Sequence, residues 1–142
     1  MDNSNLKKVL VFGTFDLFHE GHKYFLSEAK KHGSHLTVLI ARDSTVKYMK
    51  GIIPHDNELK RLKNIEDSTI ADEVMLGSET DYYSVLSKIK PDMICLGYDQ
   101  HAFVNNLDAE IESRGLGTKI IKIDSHAPHK YKSTILRNKN KQ

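Results

Sequence analysis

Short, largely apolar runs alternate along the chain with longer stretches in which apolar residues recur at helical spacing. Such short runs are typical of strands covered on both faces, whereas the helical spacing indicates amphipathic helices. Strands are predicted at residues 8–12, 36–41, 73–76, 93–96 and 119–123. Helices are predicted at about residues 21–32, 56–67, 82–89 and 102–113, with a short terminal helix from about residue 133.

The alternation of strands and helices predicts a parallel sheet covered by helices on both faces. The predicted fold class is therefore α/β: a Rossmann-like, doubly wound, five-stranded parallel sheet in a single α/β/α domain. The length of 142 residues fits one domain of the usual size, about 100–200 residues. We predict one domain over residues 1–142, with a basic C-terminal tail at about residues 138–142. Ligands of such sheets bind outside the carboxyl ends of the strands, so the residues that follow each strand are candidates for function.

Composition and charge exclude several classes of protein. The chain has one cysteine, Cys95, so it has no internal disulfide, which favours a reducing compartment. A net charge of +2 is too small to favour nucleic-acid binding, although only basic charges follow Asp124. No apolar stretch approaches the ~20 residues that span a bilayer, and the start lacks a secretory pattern. We expect a cytoplasmic protein without nucleic-acid or membrane partners.

The most informative segment is the decamer GTFDLFHEGH at residues 13–22, which follows the first predicted strand and opens the first predicted helix. It places His19 and His22 three positions apart at the helix start, where backbone N–H groups and the helix dipole favour an anion. Gly21 lacks a Cβ, so the backbone can approach a ligand closely. Two imidazoles and backbone amides are donors suited to the charge that develops on a leaving pyrophosphate.

Two other interpretations of the histidines stay open. One histidine can cap the helix while the other is an ordinary surface residue. Two histidines at this spacing can also bind zinc. A third ligand is not evident nearby, however, since Cys95 lies at the end of another predicted strand.

The pattern GxFDxxHxGH is similar to that of the cytidylyltransferase-like nucleotidyltransferases, and the likeness extends from about residue 9 to residue 137. Members of that family join the nucleotidyl part of an NTP to a phosphorylated small molecule and release pyrophosphate. The resemblance implies that His19 and His22 contact the NTP phosphates and act in catalysis. The nucleotide-binding residues that it implies in this segment are Gly13, Thr14, Phe15, Asp16, His19, Gly21 and His22.

The family also carries a serine- and threonine-rich element at the start of a helix near the C-terminus. Here Ser133 and Thr134 occupy it, and the resemblance implies that they bind the β- and γ-phosphates. The arginine–threonine pair and the glycine–isoleucine that precede the serine in cytidylyltransferases are absent, so nearby basic residues would supply the charge. An ordinary serine N-cap in a basic tail is the alternative.

Basic residues elsewhere also resemble family positions that bind phosphate. Lys47 is implied to act in catalysis, and Lys50 is a second candidate for phosphate binding. Arg61, on the following helix, resembles a family arginine that reaches phosphate. For the lysines the alternative is a solvated surface residue, and for Arg61 it is a surface ion pair with Glu58 or a neighbour.

The segment at residues 96–100 follows the fourth predicted strand. Gly97 would let the nucleoside lie against the backbone, and Asp99 would bind the ribose or orient the base. A simple turn is the alternative. His126 and His129 lie in the loop before the serine element, where they could close over substrate.

The resemblance implies in-line attack by an acceptor phosphate oxygen on the α-phosphorus of an NTP. The divalent cation, magnesium, would be carried by the NTP, with no metal ligand from the protein. Because a phosphate nucleophile is already ionised near neutral pH, no general base is required. Asp16 is then expected to hold the loop or to act on metal-bound water.

Residues 41–43, 96–100 and 131–133 look like those of the archaeal FAD synthetases, which adenylylate FMN. ATP and FMN are therefore the favoured substrates. The bacterial glycerol-3-phosphate cytidylyltransferases are the second candidate, and adenylyltransferases of pantetheine phosphate or sugar phosphates are the third. A non-catalytic nucleotide-binding module on the same fold also stays open, and so does a homodimer, because the sequence fixes no interface.

Overall fold

The computed structural model describes residues 6–97, 100 and 106–124. Five parallel strands form one sheet in the order β3-β2-β1-β4-β5, with β1 at the centre. The chain builds outwards from β1 to β3, then crosses back to β4 on the other side of β1, which makes the sheet doubly wound. The strands are β1 (Lys8–Gly13), β2 (His35–Ile40), β3 (Glu73–Leu76), β4 (Met93–Gly97) and β5 (Lys119–Ile123).

Helices connect the successive strands. None of those in the described part of the chain combines the length and the apolar character that crossing a membrane requires. Along the chain they are α1 (Glu20–Lys30), α2 (Asp43–Lys50), α3 (Glu58–Ser68), α4 (Ser84–Ile89) and α5 (Leu107–Ser113).

The core lies on both faces of the sheet, because successive side chains of a strand point to opposite sides. Val9 and Val11 of β1 belong to an apolar cluster that includes residues of α1 and α3. Leu10 and Phe12 belong to a second cluster, with residues of α4 and α5. All four side chains are at most 1% exposed. The predicted α/β class and the five-stranded, doubly wound parallel sheet are confirmed.

Helix α2 is the element that the sequence pattern missed. It is only eight residues long, and Thr45 and Val46 are its buried residues, so it presents too few apolar positions to show a helical repeat. It ends at Gly51, whose φ of 74° is left-handed and suits a residue without a Cβ. The predicted segments 8–12, 36–41, 73–76, 93–96 and 119–123 correspond to strands whose ends shift by at most one residue.

Helix α3 begins two residues later than predicted, at Glu58, after its N-cap Asn57. Helices α1 and α4 are shorter than predicted because turns occupy one end of each predicted segment. Helix α1 stops at Lys30, and residues 31–33 continue as a turn in which each N–H donates to the carbonyl three positions earlier. Helix α4 begins at Ser84, because the preceding residues form a turn in which the Ser84 N–H donates to the Asp81 carbonyl. The start predicted for the fourth helix, near residue 102, lies outside the described residues.

The carboxyl ends of β1 and β4 are neighbours at the centre of the sheet. From β1 the chain leads to β2, and from β4 it leads to β5 on the opposite side. Where connections diverge in this way, they leave a crevice above the strand ends, which is where open α/β sheets bind ligands. The decamer at residues 13–22 therefore lies at the ligand-binding edge of the fold.

Candidate active site

The loop between β1 and α1 has a strained backbone fixed by one aromatic side chain. Phe15 and Leu17 have positive φ angles, 54° and 51°, which residues with a Cβ seldom adopt. The Phe15 ring turns back over Gly13, where an added Cβ would overlap the ring. Phe15 is 6% exposed and packs with the core cluster of β1. Strain of this kind persists where surrounding contacts enforce it, and it is common at functional sites.

The two histidines fix one another at the start of α1. His19 is the N-cap residue, and its Nδ1 accepts the Gly21 N–H at 3.0 Å. The backbone N–H of His19 donates in turn to Nδ1 of His22 at 3.2 Å. A neutral imidazole carries one proton, so a ring that accepts at Nδ1 carries that proton on Nε2. Nε2 is thus the donor atom of both rings.

Aromatic packing sets the orientation of the His22 ring. The His19 and His22 rings stack with centroids 3.8 Å apart. Phe18 stacks on His22 at 5.6 Å, and Phe15 meets it edge-on at 5.4 Å. The structure therefore brings His19 and His22 together, as the sequence predicted. It also shows that one histidine caps the helix, a role the sequence had offered as an alternative to function.

Asp16 ties the loop to the connection between α2 and α3. Its two carboxylate oxygens accept the backbone N–H groups of His55 at 2.7 Å and Asp56 at 2.8 Å. Partial burial raises the pKa of Asp16, but these two hydrogen bonds and the charge of Arg61 outweigh it, and the pKa lies below its ordinary value. Of the two expectations for Asp16, the geometry supports the one in which it holds the loop.

Arg61 of α3 is fully buried and joins the chain segments that surround the loop. Its Nε donates to the carbonyl of Asp56 at 2.9 Å. Its Nη1 donates to the carbonyls of Thr14 at 2.9 Å and Ala41 at 2.8 Å. Its Nη2 donates to Oδ1 of Asp43 at 2.6 Å. Because Thr14 and Ala41 directly follow β1 and β2, one guanidinium holds two strand ends against α3.

Two further side chains extend these contacts to β3. Glu58 accepts the Asp43 N–H at 2.8 Å, and the Glu58 N–H donates to Asp43 at 3.2 Å. Arg42 Nη1 donates to Glu58 at 3.2 Å, and its Nε donates to the carbonyl of Gly77 at 2.8 Å. We call Arg61, Asp43, Glu58 and Arg42 the Arg61 network. It joins the carboxyl ends of β1, β2 and β3 to the start of α3.

These contacts correct one expectation for Arg61. A surface ion pair is wrong, because the side chain is 0% exposed, and Glu58 pairs with Arg42 instead. Phosphate contact by Arg61 stays a prediction. In the described conformation the guanidinium has no exposed surface to offer, and its hydrogen bonds make it a residue that positions the loop.

Both candidate lysines lie on α2 and are exposed. Lys50 Nζ donates to Oγ1 of Thr14 at 3.0 Å, which brings the end of α2 to the loop that carries the histidines. Lys47 lies one turn earlier on the same helix. Their phosphate roles stay predictions, and the structure adds that Lys50 and Thr14 are in contact.

Gln100 is a candidate site residue that the sequence reasoning did not single out. Its Nε2 donates to the carbonyl of Phe12 at 2.9 Å, and its Oε1 accepts the Gly97 N–H at 3.0 Å. The side chain therefore bridges the ends of β1 and β4, where the crevice opens. The available signal was an amide side chain directly after a strand at the switch point. The predicted residues Asp99, Ser133, Thr134, His126 and His129 lie outside the described residues.

Across residues 6–97, 100 and 106–124, no three His, Cys, Asp or Glu side chains come together in a group that could hold a metal ion. Cys95 is buried within β4, and burial raises the pKa of its thiol to about 11. A metal would have to bind the thiolate, which that shift disfavours. The prediction that the protein supplies no metal ligand stays a prediction.

Comparisons with known proteins cover most of the chain. The cytidylyltransferase-like family model matches residues 10–139. The FAD synthase of Methanosarcina acetivorans is 43% identical over 119 residues, 83% of this chain and 77% of the relative. The FAD synthase of Methanocella arvoryzae is 37% identical over 133 residues, 92% of this chain and 93% of the relative.

Solved structures show the same architecture. The lipopolysaccharide core biosynthesis protein from Thermoplasma volcanium matches with a TM-score of 0.77 at 39% identity, over 83% of this chain and 96% of that chain. The pantoate-beta-alanine ligase from Francisella tularensis matches with a TM-score of 0.59 at 18% identity, over 84% of this chain and 59% of that chain. The second likeness concerns the fold alone.

We expect Arg61→Lys to lower the free energy of unfolding by about 1–3 kcal/mol, the usual cost of leaving a buried hydrogen-bonding group without its partner. An ammonium cannot reproduce hydrogen bonds that a planar guanidinium sends to four different groups. Urea unfolding followed by circular dichroism measures the change. The control is Arg114→Lys. Arg114 forms a partly exposed ion pair with Glu110, and such a pair contributes less than about 1 kcal/mol to the free energy of unfolding. Equal losses in the two variants would contradict the structural role of Arg61.

Proposed function

Since the chain belongs to the cytidylyltransferase-like family, we propose that it is an FMN adenylyltransferase, which converts ATP and FMN to FAD and pyrophosphate. The observation that carries the proposal is the pair of stacked imidazoles at the start of α1, each accepting a backbone N–H at Nδ1. The choice of substrates is supported by relatives at 37–43% identity that are named FAD synthases.

The geometry suits a nucleoside triphosphate in three ways. The Nε2 donors of His19 and His22 are fixed before substrate arrives, so they need little rearrangement as charge develops. They stand at the N-terminus of an eleven-residue helix, whose dipole favours phosphate. The adjacent crevice between β1 and β4 would hold the nucleoside, against Gly97 and Asp99.

In the proposed reaction, an oxygen of the FMN phosphate attacks the α-phosphorus of ATP. A P–O bond forms between FMN and AMP while the bond from the α-phosphorus to the bridging oxygen breaks. The electron pair leaves with that oxygen, and pyrophosphate carries it away. His19 and His22 would donate hydrogen bonds from Nε2 to the phosphate oxygens that gain charge. Asp16 already accepts two backbone N–H groups, so it is not needed as a base.

The remaining predicted residues have supporting roles in this proposal. Lys47 would neutralise phosphate charge from α2, and Ser133 and Thr134 would bind the β- and γ-phosphates. The divalent cation that such enzymes generally use would arrive with ATP, as the magnesium complex. A cytoplasmic location and a homodimer stay predictions.

The direct test is product formation by the purified protein with magnesium, crossing ATP and CTP with FMN and glycerol 3-phosphate. We expect FAD, identified by chromatography, and an equal amount of pyrophosphate only with ATP and FMN. Release of pyrophosphate only with CTP and glycerol 3-phosphate would assign the second candidate reaction instead. No release from any pair would contradict the proposal and favour a nucleotide-binding module without this activity.

Replacement of either histidine tests the site itself. We expect His19→Asn and His22→Ala to lower kcat for FAD formation by about 30- to 1000-fold, the effect of losing one fixed donor worth about 2–4 kcal/mol. Asparagine can still cap the helix, so His19→Asn should unfold within a few degrees of the wild type. The control is His32→Ala, an exposed histidine beyond α1, which should leave kcat unchanged. Near-normal turnover in His19→Asn would contradict the proposed donor role.

A further inference from the structure

Four of the seven large apolar side chains that are exposed among the described residues lie in one short segment, and the other three, Leu6, Leu17 and Leu59, lie apart from it along the chain. Tyr48 is 78% exposed, Met49 36%, Ile52 58% and Ile53 72%. They cover the last turn of α2 and the connection that follows it. Exposed apolar side chains that lie close together along the chain are costly to leave in water, and clusters of them commonly mark a binding surface. We call these four residues the α2 apolar surface.

Contacts at both ends place this surface beside the loop between β1 and α1, which carries the two histidines. Lys50, within the segment, donates to Thr14 at the end of β1. The Tyr48 ring lies 6.4 Å from the ring of Tyr82, in the connection that follows β3. The segment therefore runs along the carboxyl edge of the sheet, from β1 to β3. The nucleoside crevice between β1 and β4 lies on the other side of the same loop.

This arrangement divides the carboxyl edge into two halves. The half over β1 and β4 fits the nucleotide, as proposed above. The half over β1, β2 and β3 carries two tyrosine rings, three aliphatic side chains and two exposed lysines, Lys47 and Lys50. An acceptor bound there would have its phosphate close to Thr14 and its apolar part over α2.

We propose that the α2 apolar surface and Tyr82 bind the flavin ring of the acceptor. This inference rests on the proposed function, because FMN combines a flat aromatic ring system with a phosphate. The ring would stack on Tyr48 and Tyr82 and cover Ile53, and the phosphate would be drawn to Lys50 and Lys47. Aromatic stacking and apolar burial supply affinity for such a ring, while the lysines match the charge of the phosphate.

The charges beside the surface disfavour a second copy of the chain as its occupant. In a symmetric dimer the same patch forms both sides of the interface, so the Lys47 and Lys50 side chains of both copies would lie in it. Like charges facing each other across an interface are unfavourable. A phosphorylated aromatic ligand meets the same lysines with the opposite charge.

Steady-state kinetics with FMN and ATP varied separately tests the proposal. We expect Tyr48→Ala and Ile53→Ser to raise the KM for FMN by about tenfold or more, the change that ~1.4 kcal/mol of lost binding gives. The KM for ATP should stay within about twofold of the wild type. Both side chains are largely exposed, so neither substitution should impair folding. An unchanged KM for FMN in both variants would overturn the proposal.

The matched control is Leu6→Ser. Leu6 is 39% exposed and precedes β1, at the opposite edge of the sheet, so its loss should change neither KM. Riboflavin, which keeps the ring but lacks the phosphate, provides a second readout as a competitive inhibitor against FMN. Its inhibition constant should rise in Tyr48→Ala in parallel with the KM for FMN. A constant that stays at the wild-type value would place the ring elsewhere.

The outcomes separate this inference from the proposed function. If wild-type protein makes FAD and the variants keep a normal KM for FMN, the inference fails while the proposed function stands. If wild-type protein makes no FAD, quenching of FMN fluorescence by wild type and Tyr48→Ala still measures ring binding, and equal quenching overturns the inference. A dimer in sedimentation that dissociates in Tyr48→Ala, with FMN binding unchanged, would assign the surface to a second copy and also overturn it.

Discussion

The site depends on one buried cation, the guanidinium of Arg61. Its hydrogen bonds reach the backbone carbonyls just beyond β1 and β2, the carbonyl of Asp56 and the carboxylate of Asp43. A buried guanidinium costs much free energy unless its donors are satisfied, so these segments can shift only together. The loop with positive φ angles at Phe15 and Leu17 begins at one of those carbonyls, and the Arg61 network supports its strain.

The proposed function follows from where the Arg61 network places the groups on either side of the loop. On one side, the capping hydrogen bonds of His19 and His22 orient two Nε2 donors over the start of α1. On the other, Lys50 reaches Thr14 and brings the apolar end of α2 to the same edge of the sheet. The donors proposed for the leaving phosphates and the surface proposed for the acceptor are thus held by one set of loops, as positioning between two substrates requires.

Local patterns predicted most of the fold, but they missed one short helix and the long-range contacts at the site. The strands were predictable because their interiors are apolar on both faces, and the histidine pair because it follows a strand directly. Helix α2 was not predicted because it is short and buries only two side chains. The burial of Arg61 depends on partners up to 47 positions away along the chain, and the bridge from Gln100 to Phe12 spans 88 positions. No local spacing encodes such contacts.

The central claim is that His19 and His22 stand as neutral rings with the proton on Nε2 before substrate binds. Long-range ¹H–¹⁵N spectra of the imidazoles, at about pH 8.5, where ordinary histidine is neutral, test it most directly. His19→Asn and His22→Ala assign the signals. The account predicts that both rings show the Nε2–H tautomer in the free protein. A proton on Nδ1 in either ring, or rapid averaging between tautomers, would contradict it.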